Sequence, residues 1–180
     1  MKITEFGNPI LRQKPKKLTV KEIKSETTQR LIKRMREFLL SKKLGVGLAA
    51  PQVGKGLALA VICIRPVEHR EDVEEFDLVI INPEITRTFG RRVQQWEGCI
   101  SGGSLKGGLF AKVPRYKKLE LSYKDEKARP QKKVFEGLPA HVIQHEIDHL
   151  NGVLFVEKVK DRRTFVTYNE YVKIAKSDKK

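Results

Sequence analysis

The sequence predicts one domain that mixes α-helices with β-strands, and three observations carry that prediction. At 180 residues the chain has the length of a single domain with a proper core. Apolar residues recur at helical spacing in two places, through Leu31, Ile32, Met35, Phe38 and Leu39 and again through Leu138, Val142, Ile143, Ile147 and Leu150. Strand signatures lie between them. Leu57 to Ile64 and Leu78 to Ile81 are continuous apolar runs, and Lys117 to Tyr123 and Gln131 to Phe135 alternate about a polar turn at Lys124 to Pro130.

Taken in order, residues 1–24 read as an extended lead-in, with Pro9, Pro15 and a basic cluster at Lys14, Lys16 and Lys17. A helix is expected over 25–44, capped by Ser25 and stopped by Gly45. The stretch Gly45 to Gly54 is rich in glycine but has neither a Gly-Lys-Ser/Thr ending nor a G-x-G-x-x-G pattern, which excludes the usual phosphate loops. It reads instead as a loop lining a substrate, in which the Gln52 amide either donates to a developing oxyanion or bonds a local backbone group. Cys63 sits inside an apolar run, as a small hydrophobe would. His69 falls in a polar loop. Cys99, between Gly98 and a glycine-rich stretch at 102–108, is a candidate thiolate ligand or nucleophile. Phe165, Tyr168 and Val172 predict a terminal helix with one docking face among many lysines and arginines.

Composition narrows the class. There are 37 Lys plus Arg against 22 Asp plus Glu, a formal charge of +15. That excess favours polyanionic partners, although no zinc finger, RNA-recognition motif or long basic run accompanies it. No apolar run of about 18 residues occurs, and the N-terminal residues lack the layout of a signal peptide. A cytoplasmic protein with no membrane association is therefore expected. The two cysteines are too few for a disulfide framework.

The chemistry concentrates at Gln144 to Leu150, Q-H-E-I-D-H-L. His145 and His149 are four apart, so a helix turns both imidazoles to the same side. Glu146 can then reach a water held by a shared metal without itself ligating, which is how a general base is placed in H-E-x-x-H hydrolases. The plain alternative is a pair of satisfied core histidines. An open catalytic site needs a third protein ligand. The long H-E-x-x-H-x-x-G-x-x-H pattern would place a histidine at 155, where the chain has Phe155. Glu170 is a downstream acid but falls in the expected terminal helix. Cys99 remains.

Three segments, G-V-G-L-A-A-P-Q-V-G at 45–54, E-G-C-I-S at 97–101 and Q-H-E-I-D-H-L at 144–150, together resemble the signature segments of the peptide deformylases, in that family's order. The resemblance implies an α+β fold of antiparallel or mixed strands packed around a central metal-bearing H-E-x-x-H helix, with a C-terminal helix. It implies a catalytic unit over 1–157 and a basic helical extension over 158–180. It further implies removal of the formyl group from the initiator methionine of nascent chains.

Carried over residue by residue, the resemblance makes Cys99, His145 and His149 ligands of one divalent metal ion. Ferrous iron is the family's usual metal, with Zn(II), Ni(II) and Co(II) as alternatives. Glu146 would be the catalytic acid and base, and Gln52 with the backbone N–H of Ile100 would hold the oxyanion. Val46, Gly47 and Leu48 would pair with the peptide, while Leu138, His141 and Val142 would flank the methionine side chain. Glu97 and Asp148 are candidates to orient the imidazoles or Arg115. The chain departs from the family pattern at Ile100, where leucine is usual, at His141, and in its longer glycine-rich segment at 102–112. Formyl-methionyl chains, and ribosomal RNA through the basic surface, are the expected partners. The alternatives are an H-E-x-x-H peptidase and a catalytically weak, deformylase-like ribosome-binding protein.

Overall fold

The computed structural model describes residues 1–42, 45–67, 71, 73–103 and 108–177. Two hydroxyl side chains start its first helices. Thr19 caps α1 (Val20–Lys24) in a reciprocal box: its Oγ1 accepts from the Glu22 N–H, and the Glu22 carboxylate accepts from the Thr19 N–H at 2.7 Å. Ser25 caps α2 (Glu26–Leu40) through an Oγ that accepts from the Thr28 N–H. Both satisfy amide donors that a helix start leaves without partners. Ile32, Met35 and Leu39 form the buried stripe of α2, in line with the periodicity. The lead-in is less extended than expected, since it holds α1 and a 3-10 turn at Pro9–Arg12. Helices this short offer no apolar period, only their caps. Lys43 and Leu44, at the end of the expected helix, lie outside the described residues, as do His69 and the centre of the glycine-rich segment.

Five antiparallel strands follow in spatial order β1 (Gly47–Ala49), β2 (Leu59–Ile64), β3 (Phe76–Gly98), β4 (Leu109–Lys124) and β5 (Pro130–Glu136). Next come α3 (Gly137–His149), a short β6 (Val166–Thr167) paired with Leu109 and Phe110 of β4, and α4 (Tyr168–Ser177). Every residue of β2 is buried. Its alternate side chains explain why: Leu59, Val61 and Cys63 pack with Ile32 and Met35 of α2, whereas Ala60, Ile62 and Ile64 pack with Ile143 and Ile147 of α3. A strand covered on both faces reads as an unbroken apolar run. Cys63 is thus a core residue, as its setting in the sequence implies.

The strand expected at 78–81 runs on for 23 residues through Asn82 and Pro83, two residues that ordinarily mark a turn. Asn82 resolves the conflict. It adopts a left-handed φ of 51°, its amide donates to the Leu18 carbonyl at 2.8 Å and accepts from the Leu18 N–H at 2.9 Å, and its own N–H donates to the Ala58 carbonyl. The register shifts between Ile81 and Glu84, so Pro83 sits in a bulge where the ladder needs no donor. Beyond it β3 stays paired with β4 as far as Gly98, with β5 on the other side of β4 at Lys118–Lys124. The predicted turn before β5 is present: Asp125 Oδ1 accepts from the Lys127 and Arg129 N–H groups at 2.9 and 2.8 Å, an Asx arrangement.

The terminal helix begins at Tyr168, so Phe165 lies before it and packs with Cys99, Ala111, Val113 and Phe155 in a small third core. Among the described residues no helix is long and apolar enough to cross a membrane. Asn82→Ala removes both bonds to Leu18 and strains a left-handed residue, so chemical denaturation should show a loss of about 2–3 kcal/mol.

Candidate metal centre

Gly137, at φ 65°, turns the chain from β5 into α3, and the helix presents His145, Glu146 and His149 toward the end of β3. There Cys99 leaves the strand in an extended conformation at φ −136°. Its Sγ lies 3.2 Å from His149 Nε2, and one donor atom from each of Cys99, His145 and His149 falls within 4.8 Å of the others. Tetrahedral coordination with bonds of about 2.0–2.3 Å puts ligand atoms roughly 3.4 Å apart. The three donors already approach that spacing.

Gln52 stands on the other side of the sulfur. The 3-10 turn Ala50–Val53 that follows β1 folds its side chain inward, where Oε1 accepts from the Ala49 N–H at 2.8 Å. Nε2 is thereby aimed away from the backbone, 3.4 Å from Cys99 Sγ and 3.2 Å from Ser101 Oγ. The local backbone bond that the sequence allows for Gln52 is present at its Oε1, and its donor end faces the Cys99 sulfur.

Glu97 links the metal-ligand candidates to the sheet. Its carboxylate accepts from Arg115 of β4 at 2.5 and 3.0 Å and lies 2.9 Å from both His141 Nε2 and His145 Nδ1. His145 therefore has Nε2 left to face Cys99. Arg115 in turn pairs with Asp148 at 2.7 Å. Burial opposes the charge on Glu97, but the hydrogen bonds from His141, His145 and Arg115 outweigh it and hold the carboxyl far below its usual range. Burial also opposes the Cys99 thiolate, yet His149 and His145 bring its pKa down to about 5. For His145 burial works against the cation, while Cys99 and Glu97 raise its pKa well above the ordinary value. Burial, helped by the negative charges of Cys99 and Glu97 and opposed by His145 and His149, pushes Glu146 up to about 7.

This donor set fits a divalent metal. A thiolate and two imidazoles are what zinc and ferrous iron accept, and the negative charge of Cys99 and Glu97 that favours a proton on His145 is one a cation would satisfy. The Glu146 Oε2 and His149 Nδ1 atoms are buried without a hydrogen-bond partner in the protein, as befits polar atoms beside a metal site with its water.

A cleft of about 180 Å³ opens beside these residues. Among the sequence-based candidates, Val46, Gly47, Gln52, Cys99, Ile100, Leu138, His141, Val142, His145 and Glu146 line it. Gly47 is tightly held, since a Cβ there would come within 2.1 Å of Glu146 Oε1. His149 sits behind, 1% exposed. Leu48 is placed elsewhere: it points into the core with Ile32 and Met35. Trp96, Phe110, Tyr168 and Tyr171 also line the cleft and were not foreseen. Their signal is only the strand alternation of 96 and 98 and the three-residue helical step from 168 to 171.

The sequence matches the profile of the polypeptide deformylase family over residues 1–165. The chain belongs to that family. With the polypeptide deformylases comes the activity their name states, hydrolytic removal of a formyl group from a polypeptide. A peptide deformylase of a Synechocystis strain is 40% identical over 154 residues, covering 86% of this chain and 76% of that one. One from Leptospira biflexa is 37% identical over 97% of this chain and 95% of its own. Among solved structures, a Met-Ala-Ser-bound class I type b deformylase from Acinetobacter baumannii superposes with a TM-score of 0.80 at 30% identity, covering 88% of this chain and 98% of that chain. A Synechococcus elongatus deformylase in complex with actinonin gives 0.76 at 40% identity, covering 96% and 86%. Like them the chain is α+β, with an antiparallel sheet and a C-terminal helix.

Glu97→Gln keeps the shape of the side chain but discards the charge that orients His145. A chelator-competition titration should show metal affinity lowered by about 10–100-fold.

Proposed function

We propose that this chain removes the N-formyl group from the initiator methionine of nascent polypeptides, using Cys99, His145 and His149 to hold one divalent metal. The observation that carries this reading is the convergence of the Cys99 sulfur, the two imidazoles and the Gln52 amide beside a cleft that Glu146 also lines. Residues 1–157 would carry the chemistry. Residues 158–177 would complete the cleft.

A bound metal would supply Lewis acidity and lower the pKa of a coordinated water. The residues of the chain do the rest. The Glu146 carboxylate, with one oxygen lacking a partner, takes a proton from the attacking water and returns it to the leaving amine. Its pKa of about 7 suits both directions of transfer. Gln52 Nε2, fixed by the bond of its other end to Ala49, and the Ile100 N–H donate to the oxyanion. β1 pairs on one side only, with β2, so its other edge at Val46 and Gly47 can take up the peptide backbone by strand addition. The methionine side chain then lies along Leu138, His141 and Val142, and the thioether suits an apolar, adaptable slot. Formate and a free N-terminus are the products.

The metal is ferrous iron in this reading, with zinc, nickel and cobalt able to replace it. A cytoplasmic location, and association with ribosomal RNA through the basic surface that the charge of +15 provides, follow from the substrate being a nascent chain.

Formate release from formyl-Met-Ala-Ser tests the activity. Glu146→Ala should retain metal but lower kcat by about 10³-fold or more, whereas Cys99→Ser should lose metal and activity together. A Cys99→Ser variant that kept both would favour an ordinary H-E-x-x-H peptidase. Co-sedimentation with ribosomes should weaken steeply as salt rises. Binding that ignores salt would remove the electrostatic partner.

A further inference from the structure

Four aromatic rings stand along one side of the cleft. Trp96 and Phe110 come from β3 and β4; Tyr168 and Tyr171 come from α4, beyond the residue at which the family match ends. Phe110 is opposite Gly98 in the β3–β4 register, and the far end of its ring occupies the space beside that glycine, where a Cβ would approach within 2.6 Å of Cζ. Tyr171 stacks on Phe110 at 4.3 Å between centroids and 7° between planes. Trp96 meets Tyr171 edge-on at 5.9 Å, and Tyr168 is tilted against Phe110 at 5.9 Å. All four rings are half-buried. They pack on one another into a continuous wall.

Strand alternation decides what the wall can meet. Glu97 and Ala111 point toward α3, where Glu97 reaches His141 and His145. Trp96, Gly98, Phe110 and Lys112 therefore belong to the opposite face of the same two strands. A peptide extended between the edge of β1 and the end of β3 alternates likewise. If its first side chain lies among Leu138, His141 and Val142, its second points away from α3. That second Cα lies roughly 5–6 Å from the formyl carbon, one Cα–Cα step beyond the first residue, and the rings share one cleft with His145 and Glu146.

We propose that Trp96, Phe110, Tyr168 and Tyr171 form a subsite for an apolar, above all an aromatic, side chain on the second residue of the formylated peptide, an inference that rests on the proposed deformylase function. Rings packed on one another gain contact at little ordering cost. Lys112 lies over the Trp96 ring at 5.2 Å, so a lysine or arginine at the second position meets a like charge. The order of preference is then phenylalanine and tryptophan, leucine, alanine, lysine.

Nickel-loaded protein, assayed on formyl-Met-Phe-Ser and formyl-Met-Ala-Ser, should favour the first by about tenfold in kcat/KM, with the difference in KM. Tyr171→Ala should bring that ratio to within about twofold of unity, and Tyr171→Phe should keep it, since the stacked ring remains. Equal kcat/KM for the two peptides overturns the proposal, as does a preference that appears only when phenylalanine is moved to the third position. A second readout needs no turnover. Trp96 is the sole tryptophan, so its fluorescence reports on the wall, and the deformylated product Met-Phe-Ser should bind with a lower Kd than Met-Ala-Ser and quench it. Tighter, quenching binding without any deformylation would sink the proposed function and leave the subsite standing; equal Kd values would sink the subsite.

Discussion

The Glu97 carboxylate, 4% exposed, is the point at which the sheet and the helix of the site are joined. A lone buried charge is far too unfavourable to persist, and here three side chains from two elements, Arg115 on β4 and His141 and His145 on α3, converge on it through four hydrogen bonds. The arrangement extends through Arg115 to Asp148, the residue before His149. One connected set of charges thus orients His141 and His145, while Cys99, two residues beyond Glu97, is carried to the metal-ligand candidates by the backbone. Removing any single member would leave a buried partner unpaired, which is why networks of this kind hold one geometry.

Much of the site was legible because its residues are close in sequence and bound by local geometry. The i, i+4 spacing of His145 and His149 needs only a helix, and the buried face of that helix is written in Leu138, Val142, Ile143 and Ile147. The pairing of Cys99 with those histidines is not local. It became readable through the family resemblance of three separated segments, and the fold then brings them together by antiparallel pairing that no single segment encodes. The strand at 82–98 was missed for the opposite reason: Asn82 and Pro83 carry a turn signal, and only the distant Leu18 backbone converts it into a bulge. Leu48, beside two cleft residues in sequence, faces the core because a strand sends neighbours to opposite sides.

The C-terminal residues show how far charge patterning can mislead about placement. From 158 onward the sequence is dominated by lysine and arginine, and its few apolar residues look like a minor docking stripe. Yet β6 joins the sheet at Leu109 and Phe110, Phe165 enters a core that contains Cys99, and two tyrosines of α4 reach the cleft. The solvated face of this segment dominates its composition, whereas the few buried or half-buried rings determine where it sits.

The absence of a side chain at position 47 has a further meaning. A Cβ at Gly47 would fall 2.1 Å from Glu146 Oε1, so the bare backbone of β1 lets that oxygen lie directly beside it and bounds the carboxylate on that side. For an acid bounded in this way the strand behaves like a fixed stop on a ruler. One limit on the distance from a docked peptide's backbone to the proton-carrying oxygen is set by the strand itself, and drift in the surrounding apolar packing leaves that limit unchanged.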